Sequence, residues 1–507
     1  ADLDTWITAQ MAAPPSFHLD ATDEDFRTYS AVGDNPQYNQ QNRQAAWWRT
    51  ALTARDQLRQ RVAFALSQIF VVSDVNPTLA NNPRALANYY DILVRGAFGN
   101  ARQLLEDVTL SPVMGIYLSA LRNAKATFDA SGRQLTAPDE NYAREIMQLF
   151  SVGLMELQPD GLPRLNEVGA PIPTYDNRTI SEMAKVFTGL GFYSAAPAPN
   201  FRGEPANYLR PMMFYPAFHE EGEKTIITGR KLPARQTPPQ NLKDTLDTLF
   251  NHPNAGPFLV RQLIQRLVTS NPSPGYVYRV AQIFANNGAG VRGDLGAVVR
   301  ALLLDYEARS AALATTASYG KLKEPLLRTT AILRAFDGGA NNGRFLFANP
   351  ETNLAQAALR APTVFNFFEP DFVQPGTLAT AGLVAPEYQI VTDTTAISVP
   401  NQLWNFIYAG RSGIAGATST ANPAEGTLGV KLDAAMLALA RNPRALVDRM
   451  NLILAGGALP RVVTDRFVTA ITAMPNSTAS TYGGSDLERV RSAMYLTVTV
   501  PQGAVQK

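Results

Sequence analysis

Apolar side chains recur at three- and four-residue steps along most of the chain, the spacing that places them on one face of an α-helix. The clearest run extends from Gln44 to Val72, with Arg55, Asp56 and Gln60 on its polar face. The same spacing predicts further helices at 139–153, 242–251, 257–269, 275–287, 294–305, 321–336, 398–409, 443–455, 461–474 and 484–495. Helix therefore dominates the predicted secondary structure.

Several helix starts carry local signals. The pentapeptide Asn-Pro-Arg-Ala-Leu stands at both 82–86 and 442–446. Asn can cap the first free N–H groups of a helix, and Pro at the first helical position loses no hydrogen bond. Thr179 and Glu182 have the spacing of a capping box, which predicts a helix that begins at Thr179.

Alternating strand patterns are scarce, and the best are the short stretches 225–228 and 495–500. We therefore expect an all-α fold with at most a small β-hairpin. The expected organisation is a large many-helix domain over 1–410, a linker or loop over 411–429 that is rich in Gly, Ala and Thr, and a C-terminal helical unit over 430–507 packed on the main domain.

Long irregular stretches at 154–178, 192–240 and 361–397 interrupt the helices. Loops of this length inside a domain are uncommon and are usually functional or flexible. Because these stretches contain many aromatic residues, we expect them to pack on the helical body.

Composition narrows the function. The 507 residues carry a net charge of only +2, which argues against a dedicated nucleic-acid-binding protein. Cysteine is absent and histidine occurs three times, so thiol chemistry is excluded and multi-histidine sites have few candidates. No phosphate-binding glycine loop or nucleophile elbow is present. No apolar run is long enough to span a bilayer.

The segment 138–150 is dense in polar side chains for a helix start. Glu140, Arg144 and Glu145 lie within two turns, and we take them as candidate catalytic residues with Asn141 and Tyr142 as candidate binding residues. Two carboxylates beside a guanidinium could form an acid/base pair whose pKa values are pushed apart. The alternative is a capping and salt-bridge cluster that holds a loop.

A second polar concentration lies at 215–225. His219 could be a general base, and Lys224 could neutralise an anionic group. Tyr215 in this segment and Tyr175 in the loop before the predicted helix at 179 are further candidate binding residues. The alternative is that His219 and Lys224 form hydrogen bonds with the backbone and hold the loop.

No metal site is predicted. A transition-metal site at His219 would need further ligands, and only His18 and His252 remain as imidazoles. Calcium stays possible, because Asp129 and Glu140 stand at the first and last positions of a twelve-residue stretch. The glycine of that stretch is at the fourth position and most intermediate ligands are missing, so it is not an EF-hand.

The chain resembles the bacterial family of domain of unknown function 1800. The segments that carry the resemblance are 140–145 with Leu149, Phe150 and Gly153, then 70–73, 184–189, His219 with Gly222 and 224–225, 323–325 and 505–507. The resemblance implies a large, mainly helical, usually exported bacterial protein, often encoded beside a protein that looks like a phosphatase or sulfatase. It supplies no reaction.

The chain departs from that family at two positions. Many members carry Trp and His where this chain has Ser67, Gln68 and Ile69, and many carry Trp where this chain has Leu190. A metal-binding or basic His at the first position is therefore absent here. The family's usual first helix would precede Ala1, and we expect the N-terminus to be trimmed.

Two functional hypotheses follow. The first is an extracytoplasmic acid/base enzyme, a hydrolase or lyase that acts on a polar polymer such as a glycan and uses the candidate residues above. The second is a non-catalytic cell-surface or assembly protein that binds the phosphatase-like or sulfatase-like partner or other copies of itself. The low fraction of charged residues, 17%, and the near-zero net charge favour association.

Overall fold

Helices dominate the computed structural model, which describes residues 2–196, 201–340, 342–347, 349–409, 428–474 and 486–507. The first helices are α1 (Leu3–Ala12), α2 (His18–Tyr29), α3 (Gln40–Thr53), α4 (Gln57–Ser67), α5 (Pro77–Ala80), α6 (Pro83–Gly96), α7 (Ala101–Thr109), α8 (Pro112–Tyr117), α9 (Asn141–Gln148) and α10 (Asn177–Val186). The middle of the chain forms α11 (Pro238–Asn251), α12 (Ala255–Leu267), α13 (Pro274–Ala285), α14 (Leu295–Leu304), α15 (Tyr306–Arg309), α16 (Ala311–Ala314) and α17 (Pro325–Ala335). The last helices are α18 (Pro350–Leu354), α19 (Thr377–Thr380), α20 (Asp393–Trp404), α21 (Ala434–Ala438), α22 (Pro443–Ala455), α23 (Arg461–Ala473), α24 (Asp486–Thr499) and α25 (Pro501–Ala504). The predicted all-α class is confirmed.

The β-structure consists of short antiparallel pairs. The strands are β1 (Thr127–Phe128), β2 (Gln134–Thr136), β3 (Leu190–Gly191), β4 (Met213–Phe214), β5 (Lys224–Thr225), β6 (Lys231–Leu232), β7 (Lys321–Leu322) and β8 (Val505–Gln506). They pair as β1–β2, β3–β4, β5–β6 and β7–β8, so the described residues hold four such pairs where at most one hairpin was expected.

The strand predicted at 495–500 is wrong, because residues 495–499 form the end of α24. Its buried side chains include Ala493, Met494, Thr497 and Val498, which follow helical spacing. The hydroxyl of Thr497 also donates to the carbonyl of Ala493 one turn earlier, at 2.8 Å. The alternation of apolar residues and threonine in the sequence therefore does not reflect a strand.

The long helical run predicted from Gln44 to Val72 is divided between α3 and α4. Asp56 at the break is fully buried, and its Oδ2 accepts hydrogen bonds from the Ser16 amide and from Gln60 Nε2, both at 3.0 Å. Gln57 Nε2 donates to the carbonyl of Ala54 at the end of α3, at 2.6 Å. These contacts replace the helical hydrogen bonds at the break.

One continuous cluster of buried apolar side chains extends from Ile7 to Val498 and includes residues of both predicted units. At the C-terminus β8 pairs with β7, and Lys323 Nζ donates to the carbonyls of Leu454 and Gly503 at 3.1 and 3.2 Å. The C-terminal helices are therefore tied to the segment that precedes α17. Of the predicted linker over 411–429, residues 411–427 lie outside the described part of the chain.

The segment 154–174, which we call the arm, is held by its own backbone. The amide of Glu156 donates to the carbonyl of Ile172 at 2.7 Å, and the amide of Ile172 donates to the carbonyl of Arg164 at 3.0 Å. The amide of Arg164 in turn donates to the carbonyl of Glu156 at 2.7 Å. Gly161 and Gly169 both have φ of +80°, which closes the two turns of the arm. The arm thus has a defined conformation without continuous strands.

None of the helices in the described part of the chain combines the length and the apolar character that crossing a membrane requires.

Candidate functional site

The N-terminal end of α9 presents an exposed polar surface. The amide of Asn141 donates to the side chain of Asp139 at 2.8 Å, which satisfies one free N–H at the helix start. Glu140 accepts a hydrogen bond from the Ser181 hydroxyl of α10 and pairs with Arg144 at 3.6 Å. About two fifths of each of the Glu140 and Arg144 side chains is exposed, so both are accessible from solution.

Glu145 lies beneath this surface. Only 6% of the residue is exposed, and its Oε2 has no hydrogen-bond partner among the described residues. Burial raises the pKa of the carboxyl, and the neighbouring Arg144 opposes that shift. Burial together with the Glu145 charge also raises the pKa of Tyr175 to about 12, while Arg144 lowers it. The Tyr175 hydroxyl is likewise buried and has no hydrogen-bond partner within the described part of the chain.

The other two candidate tyrosines point into the protein. Tyr142 is 1% exposed, and its hydroxyl donates to Thr109 Oγ1 at 2.8 Å. Tyr215 is also buried and donates to the carbonyl of Phe192 at 2.8 Å. Both hydroxyls are satisfied inside the fold.

His219 is 1% exposed and has a partner at each ring nitrogen. Nδ1 lies 2.9 Å from the carbonyl oxygen of Thr188, which can only accept, so Nδ1 carries the proton. Nε2 then accepts a hydrogen bond from Asn241 Nδ2 at 2.8 Å. Burial lowers the pKa of His219, with Lys224 adding to the shift and the Thr188 carbonyl opposing it. The ring is therefore neutral and joins three segments of chain.

Lys224 is fully buried on β5. Its Nζ donates to the carbonyls of Glu220 and Gly222 at 2.7 and 3.0 Å, which closes the loop before the strand. Burial lowers the pKa of this ammonium group, and Glu220 opposes the shift. In this geometry the ammonium group binds the backbone of its own loop and is not positioned to bind an external anion.

Helix α10 connects the two polar segments. Ser181 bonds to Glu140 on one side, and Glu182 Oε2 accepts the amide of Thr225 on the other at 3.1 Å. Across the described residues, no hydrogen bond or ion pair joins 140–145 directly to 219–224. The structure therefore brings Glu140, Arg144, Glu145 and Tyr175 together and places His219 and Lys224 on the far side of α10.

Sequence reasoning missed a cavity of about 440 Å³ at the other end of α9. It lies between the end of α9, the arm, α12 and the segment 364–371. One face of α12 lines it with Phe258, Arg261, Gln262, Gln265 and Arg266. Four polar residues at such spacing inside a helix that is otherwise apolar were the signal that could have identified this face.

Within the described residues, no group of three or more His, Asp or Glu side chains could hold a metal ion. Asp129 Oδ1 accepts hydrogen bonds from the amides of Ser131 and Arg133, both at 2.9 Å, and so closes the turn between β1 and β2.

Comparison with known proteins gives one match. A family model described as a protein of unknown function, DUF1800, matches residues 1–502 of the 507-residue chain. No curated protein and no solved structure matches the chain.

Proposed function

The chain belongs to the DUF1800 family, and from this premise we propose that it is an extracytoplasmic acid/base enzyme, a hydrolase or lyase of a polar polymer such as a glycan. Glu145 is the observation that carries the proposal. A carboxyl whose pKa is raised by burial and whose Oε2 has no partner among the described residues has properties of a general acid.

The surrounding groups have distinct proposed roles. The exposed pair Glu140 and Arg144 would contact the polymer, and Arg144 would stabilise negative charge that develops on it. Tyr175, whose hydroxyl lacks a partner, would orient the substrate or the Glu145 proton. His219 and Lys224 support the site as ties behind α10 and need not contact substrate.

An open surface suits a polymer better than an enclosed pocket would, because a chain must pass across it. The side chains of Glu140 and Arg144 are exposed beside Ser181, and Glu145, next to Arg144 in the sequence, is buried in the same helix. In this proposal a movement of the surrounding side chains would admit a glycosidic oxygen to the Glu145 carboxyl.

The test measures the turnover of a panel of polysaccharides. New reducing ends would report hydrolysis, and unsaturated products would report lyase chemistry. Glu145→Gln should lower turnover at least 100-fold, the usual contribution of a general acid. Glu223→Gln is the matched control, since Glu223 is an exposed glutamate paired only with Lys231. Turnover by Glu145→Gln equal to that of the control would exclude Glu145 as the acid.

A second candidate function, assembly at the cell surface, is favoured by the arm. Its exposed apolar side chains are Leu154, Met155, Leu162, Leu165 and Val168, the last being 86% exposed. Exposed apolar groups concentrated on one segment are typical of association surfaces. Here the partner would be the phosphatase-like or sulfatase-like protein or a second copy of the chain.

Light scattering on size-exclusion fractions tests this second function, with the chain alone and with the partner added. Val168→Ser combined with Leu165→Ser should abolish any complex. A monomer that binds no partner before mutation would exclude the assembly function.

A further inference from the structure

The cavity beside α9 has walls that are mostly apolar. Its apolar lining includes Leu149 and Val152 near the end of α9 and the rings of Phe258, Phe365 and Phe368. Phe258 is half-buried and Phe365 is 45% exposed, so aromatic surface is available to a ligand both inside the cavity and at its mouth. Pockets that hold small molecules typically combine such walls with a few fixed polar groups.

Three polar side chains in the lining have free hydrogen-bonding capacity. Gln148, Arg261 and Gln262 make no side-chain hydrogen bond or ion pair with any described residue. Of the three, Gln262 is the most buried residue, with 7% of it exposed, and it lines the cavity. Its amide donor and acceptor are therefore available to a ligand group or to water.

The floor beneath these groups is fixed by hydrogen bonds between distant segments. Arg266 Nη2 donates to the carbonyl of Gln68 at 2.9 Å, and Gln68 Nε2 donates to Glu324 Oε2 at 2.6 Å. Gln265 Nε2 donates to the carbonyls of Ser270 and Pro370 at 3.0 and 2.9 Å. The floor therefore holds α12 and the segment 364–371 at a set separation, which preorganises the cavity.

Charge in the lining is balanced, because Arg261 and Arg266 contribute two guanidinium groups and Glu369 and Asp371 two carboxylates. Arg261 interacts electrostatically with Asp371. An organic anion would meet both carboxylates, and a purely apolar ligand would cover the amide of Gln262 without giving it a hydrogen-bond partner. The lining instead suits an uncharged molecule with hydroxyl groups on its edge and an apolar face.

We propose that this cavity is a binding site for a neutral sugar ring. The C–H face of the ring packs against Phe258 and Phe365, while its hydroxyls pair with the amides of Gln148 and Gln262 and with the guanidinium of Arg261. The site goes beyond the proposed chemistry at Glu145, because binding here requires no proton transfer.

The experiment measures binding of neutral saccharides to the full chain by saturation-transfer NMR and calorimetry. The probes are glucose, galactose, mannose and N-acetylglucosamine with their linear oligomers, and the comparators are oligogalacturonate and laurate. We expect binding of at least one neutral saccharide, weakened at least tenfold in Phe365→Ala and in Gln262→Leu. Phe128→Ala, which removes another exposed phenyl ring, on β1 and outside the cavity lining, should bind as the unaltered chain does.

Each outcome decides the proposal. Absence of binding by every neutral saccharide, tighter binding of oligogalacturonate or laurate, or equal affinity of Phe365→Ala and Phe128→Ala would overturn it. Phe365 is exposed, so its variant remains informative if Gln262→Leu fails to fold. Glu145→Gln should retain saccharide binding, so loss of turnover with intact binding tests the proposed enzyme, and turnover without cavity binding would refute only this site.

Discussion

Asn241 Nδ2 donates to His219 Nε2 at 2.8 Å across 22 positions of sequence. The bond fixes the ring in the tautomer that donates from Nδ1 to the Thr188 carbonyl. Helix α11, which carries Asn241, is thereby connected through His219 to the end of α10. The imidazole that stands in the most chemically suggestive sequence is thus a structural connector in this fold.

Replacement of His219 by Ala should lower the free energy of unfolding by about 3 kcal/mol, because it leaves a cavity and two buried polar groups without partners. Denaturant unfolding measures the loss. Asn241→Ala and the double variant complete a thermodynamic cycle, and we expect their coupling to reach about 1 kcal/mol. Additive effects of the two substitutions would contradict the connection.

Lys224→Met should cost about 2 kcal/mol, since the carbonyls of Glu220 and Gly222 lose the buried ammonium that donates to both of them. Lys231→Met is the matched control on the paired strand β6. Its side chain is 67% exposed and forms only a surface ion pair, so its effect should stay within about 0.5 kcal/mol. Equal thermal stability of both variants would show that the ammonium is not a tie.

The sequence predicted the helical class and the contact between Glu140 and Arg144, because both depend on residues three or four positions apart. The helix start at Thr179 was displaced: the cap is Asp176, whose side chain accepts the Thr179 amide at 2.8 Å. Capping spacings recur by chance, and the choice between two neighbouring caps depends on how the preceding loop packs.

The surroundings of His219 could not be predicted from sequence, because Thr188 and Asn241 reach it from 31 and 22 positions away. The density of polar residues around His219 in the sequence indicated a polar cluster. It did not indicate whether other parts of the fold would bury that cluster. The cavity was still harder to predict from the sequence, since Gln68, Gln148 and Gln262 come from three separate helical segments. Only tertiary packing decides that all three line one cavity.

Histidine burial should make the protein sensitive to acid. Burial lowers the pKa of His18 from 6.5 to about 4, although the hydrogen bond with Gln60 opposes the shift. As pH falls, the His18 imidazole takes up its proton at a higher pH in the unfolded chain than in the folded one. The stability that neutral His18 contributes is therefore complete above about pH 6.5 and is lost as pH falls toward 4.

His18→Gln isolates this contribution by chemical unfolding of both chains at pH 7, 5.5 and 4.5. The difference between the two chains should shrink by a few kcal/mol over that range. Comparing the two chains cancels the contributions of other titrating groups to the pH dependence of stability. One of these is Asp91, whose pKa is raised to about 7 and which therefore stabilises the folded chain as pH falls. A difference that stays constant with pH would contradict the shift.

Glu145→Gln should stabilise the chain by about 1 kcal/mol at pH 8, because the buried carboxylate has an oxygen without a partner. The folded pKa is raised above its ordinary value of 4.5, so ionisation favours the unfolded chain as pH rises through and above that value. The gain should therefore vanish near pH 4. Thermal melts at both pH values check this, and a stability loss at pH 8 would mean that the carboxylate is satisfied.

Gly153 adjoins the cavity in a left-handed conformation with φ of +74°, and a Cβ there would stand 2.8 Å from the Phe258 ring. Gly153→Ala should cost about 3 kcal/mol, from backbone strain and from displacement of Phe258. Gly169→Ala in the arm shares the strain, with φ of +80°, but its Cβ would meet nothing within 4 Å, so about 1 kcal/mol is expected. The difference between the two variants therefore measures the steric contact with Phe258.

Because that ring lines the cavity, Gly153→Ala should also weaken saccharide binding while Gly169→Ala leaves it unchanged. Equal unfolding free energies would show that Phe258 moves freely, and a wall that moves freely could not hold a sugar ring in place.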